Sequence, residues 1–227
     1  MSLARACGIE TAGSLIVDGF DQLFISRRFD RYFPQDEIVQ KANGLAMPWR
    51  LHQEDFCQAL GWPSYLKYEI EDTVCYPIVI GNLIGRMSAD VIGDKRKFAK
   101  ITVFNYFIGN CDNHLKNHSF LYSPTWDAAK LAPLYDAVCT TILGYDRKMG
   151  LCIGDHQVID EITHEDWQLF GEDLRLGRNV IKRIYSETAE SIAENLNATA
   201  TTLPSAAAHE LEQIGEDMKT RLKPWRG

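Results

Sequence analysis

The order of apolar and polar positions predicts that the chain begins with a short helix and a β-hairpin. Ser2–Cys7 is compatible with a helix and is followed by Gly8, a residue typical of the position after a helix end. Thr11–Val17 and Gln22–Arg28 are predicted to be strands. The Asp18-Gly19 pair between them favours a tight hairpin turn.

Helical spacing dominates the rest of the chain. Apolar residues recur at helical intervals from Phe98 to Ile108, which predicts a central core helix over Lys95–Ile108 with Asp94 as its cap. The other predicted helices are Leu51–Leu60, Cys75–Ile84, the segment from a cap at Thr163 to Phe170, Asn179–Asn197 and Ala206–Leu222.

A small β-ribbon is predicted after the core helix. His118–Tyr122 and Lys130–Leu134 favour its two strands, with a turn between them. Lys67 and Tyr68 are predicted to be surface residues of a loop. The segments predicted to be irregular are Ser64–Asp72 and Ala137–Ile153.

Composition limits the class of protein. The 227 residues are 45% hydrophobic with a net charge of −7, so they can bury a substantial core and lack the overall charge of a nucleic-acid binder. A basic patch at Arg27, Arg28 and Arg31 is either a binding surface or a solvated strand edge. The six cysteines lack Cys-x-x-Cys spacing, so we expect reduced thiols. We expect a cytoplasmic protein, because neither a membrane-spanning run nor a signal segment is present.

Ionisable and amide side chains concentrate in Phe104–Leu121, which includes the end of the predicted core helix. Asp112 and Asn117 have the Asp-x-x-x-x-Asn spacing of the protein-kinase catalytic loop. There the Asp accepts the proton of the substrate hydroxyl and the Asn holds Mg²⁺. Asp136 follows the predicted ribbon, which would return it to the loop as a second metal ligand.

Other interpretations of these residues stay open. Asp112 could form an Asx-turn, Asn117 could be a turn residue and Asp136 a strand-end residue. His114 is equally consistent with a structural histidine bonded to the backbone. A further hypothesis is a metal-dependent phosphoesterase that uses Asp112, His114, His118 and Asp136, although these residues lack a characteristic hydrolase spacing.

Four motifs together point to one protein family. They are GNCDNHLKN at 109–117, LAPLYD at 131–136, SRRFDR at 26–31 and LHQEDFCQALG at 51–61. In this combination the chain resembles the HipA family of bacterial serine/threonine kinases, the toxins of HipB/HipA toxin–antitoxin systems. The resemblance covers nearly all of this chain and the later part of a full-length member.

The resemblance implies an α+β, mainly α fold. Residues 34–227 would form a protein-kinase-like helical C-lobe, and residues 1–33 a β-hairpin remnant of the N-lobe with the hinge. Asp112 would be the catalytic base, and Asn117 and Asp136 would hold Mg²⁺. The residues implied to border ATP are Arg27, Arg28, Phe29, His114, Leu115, Lys116, Asn117, Tyr135 and Asp136.

The resemblance also implies a function and partners. The ATP γ-phosphate would pass to a serine or threonine of a protein, which in this family is an aminoacyl-tRNA synthetase. The partner would be a helix-turn-helix antitoxin of HipB type, and DNA would be contacted only through it. The family's Gly-rich loop lies upstream of the region matched by Met1–Gly8, so we expect a separately encoded N-terminal lobe, a misplaced start, or a truncated, inactive remnant that acts as a partner-binding module.

Overall fold

The computed structural model describes residues 1–17, 23–33, 41–70, 74–223 and 225. The helices in these residues are α1 (Ser2–Ala6), α2 (Phe56–Leu60), α3 (Tyr76–Met87), α4 (Val91–Phe107), α5 (His164–Asp173), α6 (Arg178–Ala200) and α7 (Ser205–Met218). The strands are β1 (Ser14–Val17), β2 (Leu23–Ser26), β3 (Arg31–Tyr32), β4 (Lys41–Ala42), β5 (Leu45–Ala46), β6 (Trp49–Arg50), β7 (Gln53–Asp55), β8 (Ser119–Tyr122), β9 (Ala129–Leu131), β10 (Lys148–Ile153) and β11 (His156–Val158). The mainly helical α+β class is confirmed.

The predicted opening of the chain is confirmed. Strands β1 and β2 pair antiparallel, with Leu15 opposite Ile25. Gly8 adopts φ 67°, the left-handed conformation expected after a helix end. The predicted Asp18-Gly19 turn lies outside the described residues, and the division between residues 1–33 and 34–227 stays a prediction.

Helix α2 is shorter than predicted, because its expected first turns form strand β7. Gln53 and Glu54 pair with β8 in a three-stranded sheet of order β7-β8-β9. Asp55 begins the helix through a capping box, in which its carboxylate accepts the Gln58 N–H at 2.9 Å. The prediction of a helix from Leu51 is therefore wrong, whereas the predicted ribbon of β8 and β9 is confirmed.

Helix α4 is the predicted core helix, but it begins earlier than expected. Asp90 is its cap and accepts the Gly93 N–H at 2.9 Å. Asp94 is instead buried in the first turn, where it accepts the Leu131 N–H at 2.7 Å and joins the helix to β9. The assignment of Asp94 as the cap is wrong, although every residue from 101 to 107 is buried, as expected for a central helix.

The segment predicted to be irregular from Ala137 to Ile153 ends in a strand. Met149, Leu151 and Ile153 of β10 point into the core at every second position, which is the period of a strand. The prediction of an irregular segment is therefore wrong for β10. A Cβ atom on Gly150 would lie 2.6 Å from the Asn113 carbonyl oxygen. Glycine therefore lets β10 pass close to the candidate catalytic loop.

The C-terminal helices form the remaining layer. Thr163 caps α5 as predicted, and its side chain accepts the Asp166 N–H. Helix α6 packs against α1, α4, α5 and α7. The most completely buried aromatic side chains of the core include Phe56, Tyr76, Phe98, Phe104, Phe107, Phe120, Trp167 and Phe170.

The state of the cysteines and the apolar length of the helices can be stated for the described part of the chain. All six cysteines are free thiols, four of them buried. No described helix is both long and apolar enough to cross a lipid bilayer.

Candidate active site

The candidate catalytic loop leaves helix α4 through a turn at Gly109. This glycine has φ 72°, a conformation that side chains disfavour. Its carbonyl oxygen accepts the Thr140 N–H at 2.9 Å and the Thr141 N–H at 3.2 Å. The Thr140 hydroxyl oxygen accepts the Cys111 N–H at 2.9 Å. The start of the loop is thus tied to the segment that follows Asp136.

A buried amide network supports the middle of the loop. The Asn113 side-chain oxygen accepts hydrogen bonds from Asn105 and from His118 Nε2, each at 2.8 Å. Asn110 donates to the Asn105 side-chain oxygen at 3.2 Å. Burial lowers the pKa of His118 to about 3, so its ring is neutral, and it stacks on Phe56. His118 is engaged in the core, so the four-residue set of the phosphoesterase hypothesis is not assembled.

Asp112 and Asn117, the two residues with the kinase spacing, are hydrogen-bonded to each other. The Asp112 backbone carbonyl accepts the Asn117 side-chain N–H at 2.7 Å and the His114 backbone N–H at 2.9 Å. The Asp112 side chain is 45% exposed. The loop therefore holds the Asp112 backbone firmly while its carboxylate faces outward.

Tyr68 is exposed, as predicted, and it also contacts the candidate base. Its hydroxyl donates to Asp112 Oδ1 at 2.5 Å. Partial burial, followed by this hydrogen bond, raises the pKa of Tyr68 to about 12. Tyr68 is held between two anchors: the Lys67 carbonyl accepts the Leu115 N–H at 3.1 Å, and the buried Glu69 carboxylate accepts backbone N–H groups of α3 and β10. No local pattern indicates this contact, because 44 positions separate its partners.

The three residues between Asp112 and Asn117 that were predicted to border ATP have different surroundings. His114 is 5% exposed, and its ring packs edge-on against Tyr68. Burial lowers its pKa, which favours the neutral ring. Leu115 is fully buried in the core. Lys116 forms an ion pair with Asp55 at 2.8 Å. Their contacts with ATP stay predictions.

Tyr135 links Asp136 to the candidate loop. Its hydroxyl donates to the Lys116 carbonyl at 2.9 Å, and its ring lies 5.6 Å from that of Phe29. Asp136 is exposed and adopts φ 55°, a left-handed conformation that is uncommon outside glycine and recurs at functional sites. Since Tyr135 contacts the residue before Asn117, the segments of both predicted metal ligands are joined.

The predicted hinge carries a cluster of arginines around a buried acid. The Asp30 side chain is 2% exposed and accepts two bonds from Arg28, at 2.8 and 2.6 Å. Arg31 donates to it at 2.5 Å, and Arg50 lies 3.6 Å away. The Arg28 guanidinium holds the pKa of Asp30 below its usual range. Arg27 is exposed, and the choice between a binding surface and a solvated edge stays open.

The two acids line different cavities. Asp112 and Tyr68 line a cavity of about 900 Å³. Asp136 and Tyr135 line another of about 770 Å³, whose walls include residues of β1, β2, α6 and α7.

The side chains of Asn117 and Asp136 carry oxygen atoms of the kind that magnesium takes, and their role as its ligands stays a prediction. The Asn117 amide nitrogen donates to the Asp112 carbonyl, so its side-chain oxygen is the atom that could face an ion. The Asp136 carboxylate supplies a second oxygen, and Mg²⁺ prefers oxygen ligands of this kind, usually with only one or two carboxylates.

Comparisons with known proteins identify relatives of this architecture. A family model described as the HipA-like C-terminal domain matches residues 1–196. The protein Y4mE of Sinorhizobium fredii is 33% identical over 206 residues, which cover 88% of this chain and 46% of that protein. The serine/threonine-protein kinase toxin HipA of Shewanella oneidensis is 25% identical, and the match covers 98% of this chain and 51% of that protein.

A solved structure supports the same fold. The structure of Shewanella oneidensis HipA with HipB and operator DNA matches with a TM-score of 0.84 and 24% identity, over 98% of this chain and 53% of that chain. The predicted HipA-like fold is thereby confirmed. The chain spans about half the length of the curated relatives it matches.

Proposed function

Because the chain belongs to the HipA-like C-terminal domain family, we propose that it supplies the catalytic loop and metal ligands of an ATP-dependent serine/threonine kinase. The observation that carries this proposal is the bond between Asp112 and Asn117 at 2.7 Å, made at the catalytic-loop spacing of kinases. Tyr135 supports it, because its hydroxyl connects the Asp136 segment to the same loop.

The proposed chemistry is transfer of the ATP γ-phosphate to a protein hydroxyl. The acceptor oxygen bonds to the γ-phosphorus, the bond from that phosphorus to the β,γ-bridging oxygen breaks, and ADP leaves. The acceptor proton passes to Asp112 Oδ2, since Tyr68 already donates to Oδ1. Mg²⁺ held by Asn117 and Asp136 would neutralise charge on the phosphates. Phe29 and Tyr135 would border the nucleotide.

The substrate and partners follow from the family. We propose a protein substrate, which the resemblance suggests is an aminoacyl-tRNA synthetase. The Shewanella relative was solved with HipB and operator DNA, which supports a HipB-type antitoxin as partner and DNA contact through that antitoxin. Since the chain covers about half of its relatives, the whole protein's activity is part of the proposal.

A partner-binding role is the second candidate, and the β1–β2 ribbon favours it. Leu23, Phe24 and Ile25 are 58%, 64% and 46% exposed, and Leu15 on β1 is 53% exposed. In the part of the chain that the structure describes, β1 and β2 pair only with each other. An apolar two-stranded ribbon of this kind suits added strands, such as those of a separately supplied N-terminal lobe.

Transfer of labelled phosphate separates the two roles. The chain would be incubated with γ-labelled ATP, Mg²⁺ and a mixture of purified aminoacyl-tRNA synthetases. We expect labelling by the wild type and by the exposed-site control Asp127→Asn, and a loss of roughly 100-fold or more in Asp112→Asn. Equal labelling by Asp112→Asn would refute the proposed base. ATP binding without labelling would favour the partner-binding role.

A further inference from the structure

The placement of the two acids separates an acceptor side from a nucleotide side. Asp136 lines the cavity that includes β1, β2 and Tyr135, whereas Asp112 lines the cavity that includes Tyr68. Phosphoryl transfer brings the attacking and leaving oxygens roughly into line on opposite sides of the phosphorus. The cavity that contains Asp112 is therefore the one from which an acceptor hydroxyl would approach.

Part of the wall of this acceptor-side cavity is apolar. Ile70, Val138, Leu143 and Tyr145 line it, with exposed fractions of 50%, 45%, 58% and 67%. They share one concave surface with the carboxylate of Asp112. A pocket that combines an apolar wall with a few oriented polar groups is typical of a ligand site.

The polar base of the cavity is held in place by interactions from several elements. Gln157 donates to the carbonyl oxygens of Glu69 and Met149 at 3.1 and 2.9 Å. The Glu69 backbone N–H donates to the Gly150 carbonyl at 2.9 Å. Tyr68 directly precedes the anchored Glu69, and its hydroxyl donates to Asp112 Oδ1 at 2.5 Å. The cavity is thus formed before a substrate arrives, which lowers the entropy that binding would lose.

We propose that this cavity binds the acceptor segment of the protein substrate and selects a segment with an aliphatic or aromatic side chain next to its serine or threonine. The inference rests on the proposed kinase function. The hydroxyl would face Asp112 while the neighbouring side chain packs against Val138, Leu143 and Tyr145. A charged side chain packed against these three residues would lose hydration. The cavity is also lined by two charged residues, Asp146 and Lys148.

Methyl NMR of the full chain tests this selection without requiring turnover. The protein, labelled at Ile, Leu and Val methyl groups, would be titrated with the peptide Ala-Ala-Leu-Ser-Ala-Ala and with versions that carry Ala or Asp in place of Leu. We expect saturable shifts at Ile70 and Leu143, which line this cavity but not the one that Asp136 lines, and roughly tenfold or more weaker binding of the Ala and Asp versions. Leu143→Asp should weaken the leucine peptide similarly, whereas Leu45→Asp, at an exposed position on β5, should not.

The outcomes that would overturn the inference are equally specific. The described wall of the cavity is formed by residues of this chain, so an absence of shifts at the cavity methyl groups counts against the inference. Equal affinity for the three peptides would also overturn it. ATP and Mg²⁺ would be titrated into the same samples. This distinguishes a protein that does not bind the nucleotide from one whose acceptor cavity does not bind the peptide.

Discussion

Replacing Gly109 with alanine tests how the turn before Asp112 is fixed against helix α7. Gly109 has φ 72°, and an added Cβ would lie 2.1 Å from Thr141 Oγ1 and 3.0 Å from Asp217 Oδ2. Gly61 has φ 68° and no atom within 4 Å of the same position, so Gly61→Ala is a matched control that introduces backbone strain alone.

The structure sets the size of the expected effect. A left-handed conformation costs alanine about 1–2 kcal/mol, a penalty that both variants share. To relieve the contact in Gly109→Ala, Thr141 must give up its hydroxyl bond to Asp217, which measures 2.7 Å. A hydrogen bond to a charged group contributes about 1.5–3 kcal/mol. We therefore expect losses in the free energy of unfolding of about 1–2 kcal/mol for Gly61→Ala and about 3–5 kcal/mol for Gly109→Ala.

Urea unfolding of the purified variants measures these losses. In the Gly109→Ala background, adding Thr141→Ala should change the free energy of unfolding little, because Thr141 has already lost its hydroxyl bond to Asp217 there. Equal losses in Gly109→Ala and Gly61→Ala would refute the reasoning, because they would mean that the turn yields without disturbing Thr141.

Three further substitutions probe other parts of the account. Thr163→Ala should lower the free energy of unfolding by about 1 kcal/mol in urea titrations while Thr163→Ser preserves it, because the hydroxyl caps α5. Asp30→Asn should destabilise the folded protein at pH 7. Arg28 lowers the folded-state pKa of Asp30, so the stability that the carboxylate contributes is complete above about pH 4 and is lost as the pH falls through the folded-state pKa. In thermal unfolding, the advantage of the wild type over Asp30→Asn should therefore shrink in acid. Tyr68→Phe deletes the hydroxyl bond to Asp112, so it should slow phosphate transfer by roughly 10-fold or more without changing the affinity for ATP. An unchanged rate would mean that Tyr68 has no role in the transfer.

Local patterns predicted the parts of the site that depend on nearby residues. Helical spacing identified α4, and the ribbon of β8 and β9 followed from two short strand-like runs. The spacing of Asp112 and Asn117 placed them in one loop, where they are hydrogen-bonded. These features are encoded within about twenty residues of each other, so propensity and periodicity are sufficient to indicate them.

Contacts between distant segments could not be predicted in this way. Tyr68 reaches Asp112 because Glu69 is buried between α3 and β10, a position that only tertiary packing defines. Strand β7 replaces the expected first turns of α2 because β8 offers it backbone partners. Three arginines lie around Asp30, and two of them are its near neighbours in sequence. The pairing of β3 with β6 brings the third, Arg50, opposite Arg31.

Calorimetric titration of ATP with Mg²⁺ asks whether this chain builds a nucleotide and metal site. We expect saturable binding to the wild type and to Glu194→Ala, an exposed control on α6, with strong weakening in Asp136→Ala and Asn117→Ala. Binding that is equal in all four proteins, or absent from the wild type, would contradict the claim that these residues of the chain build a nucleotide and metal site.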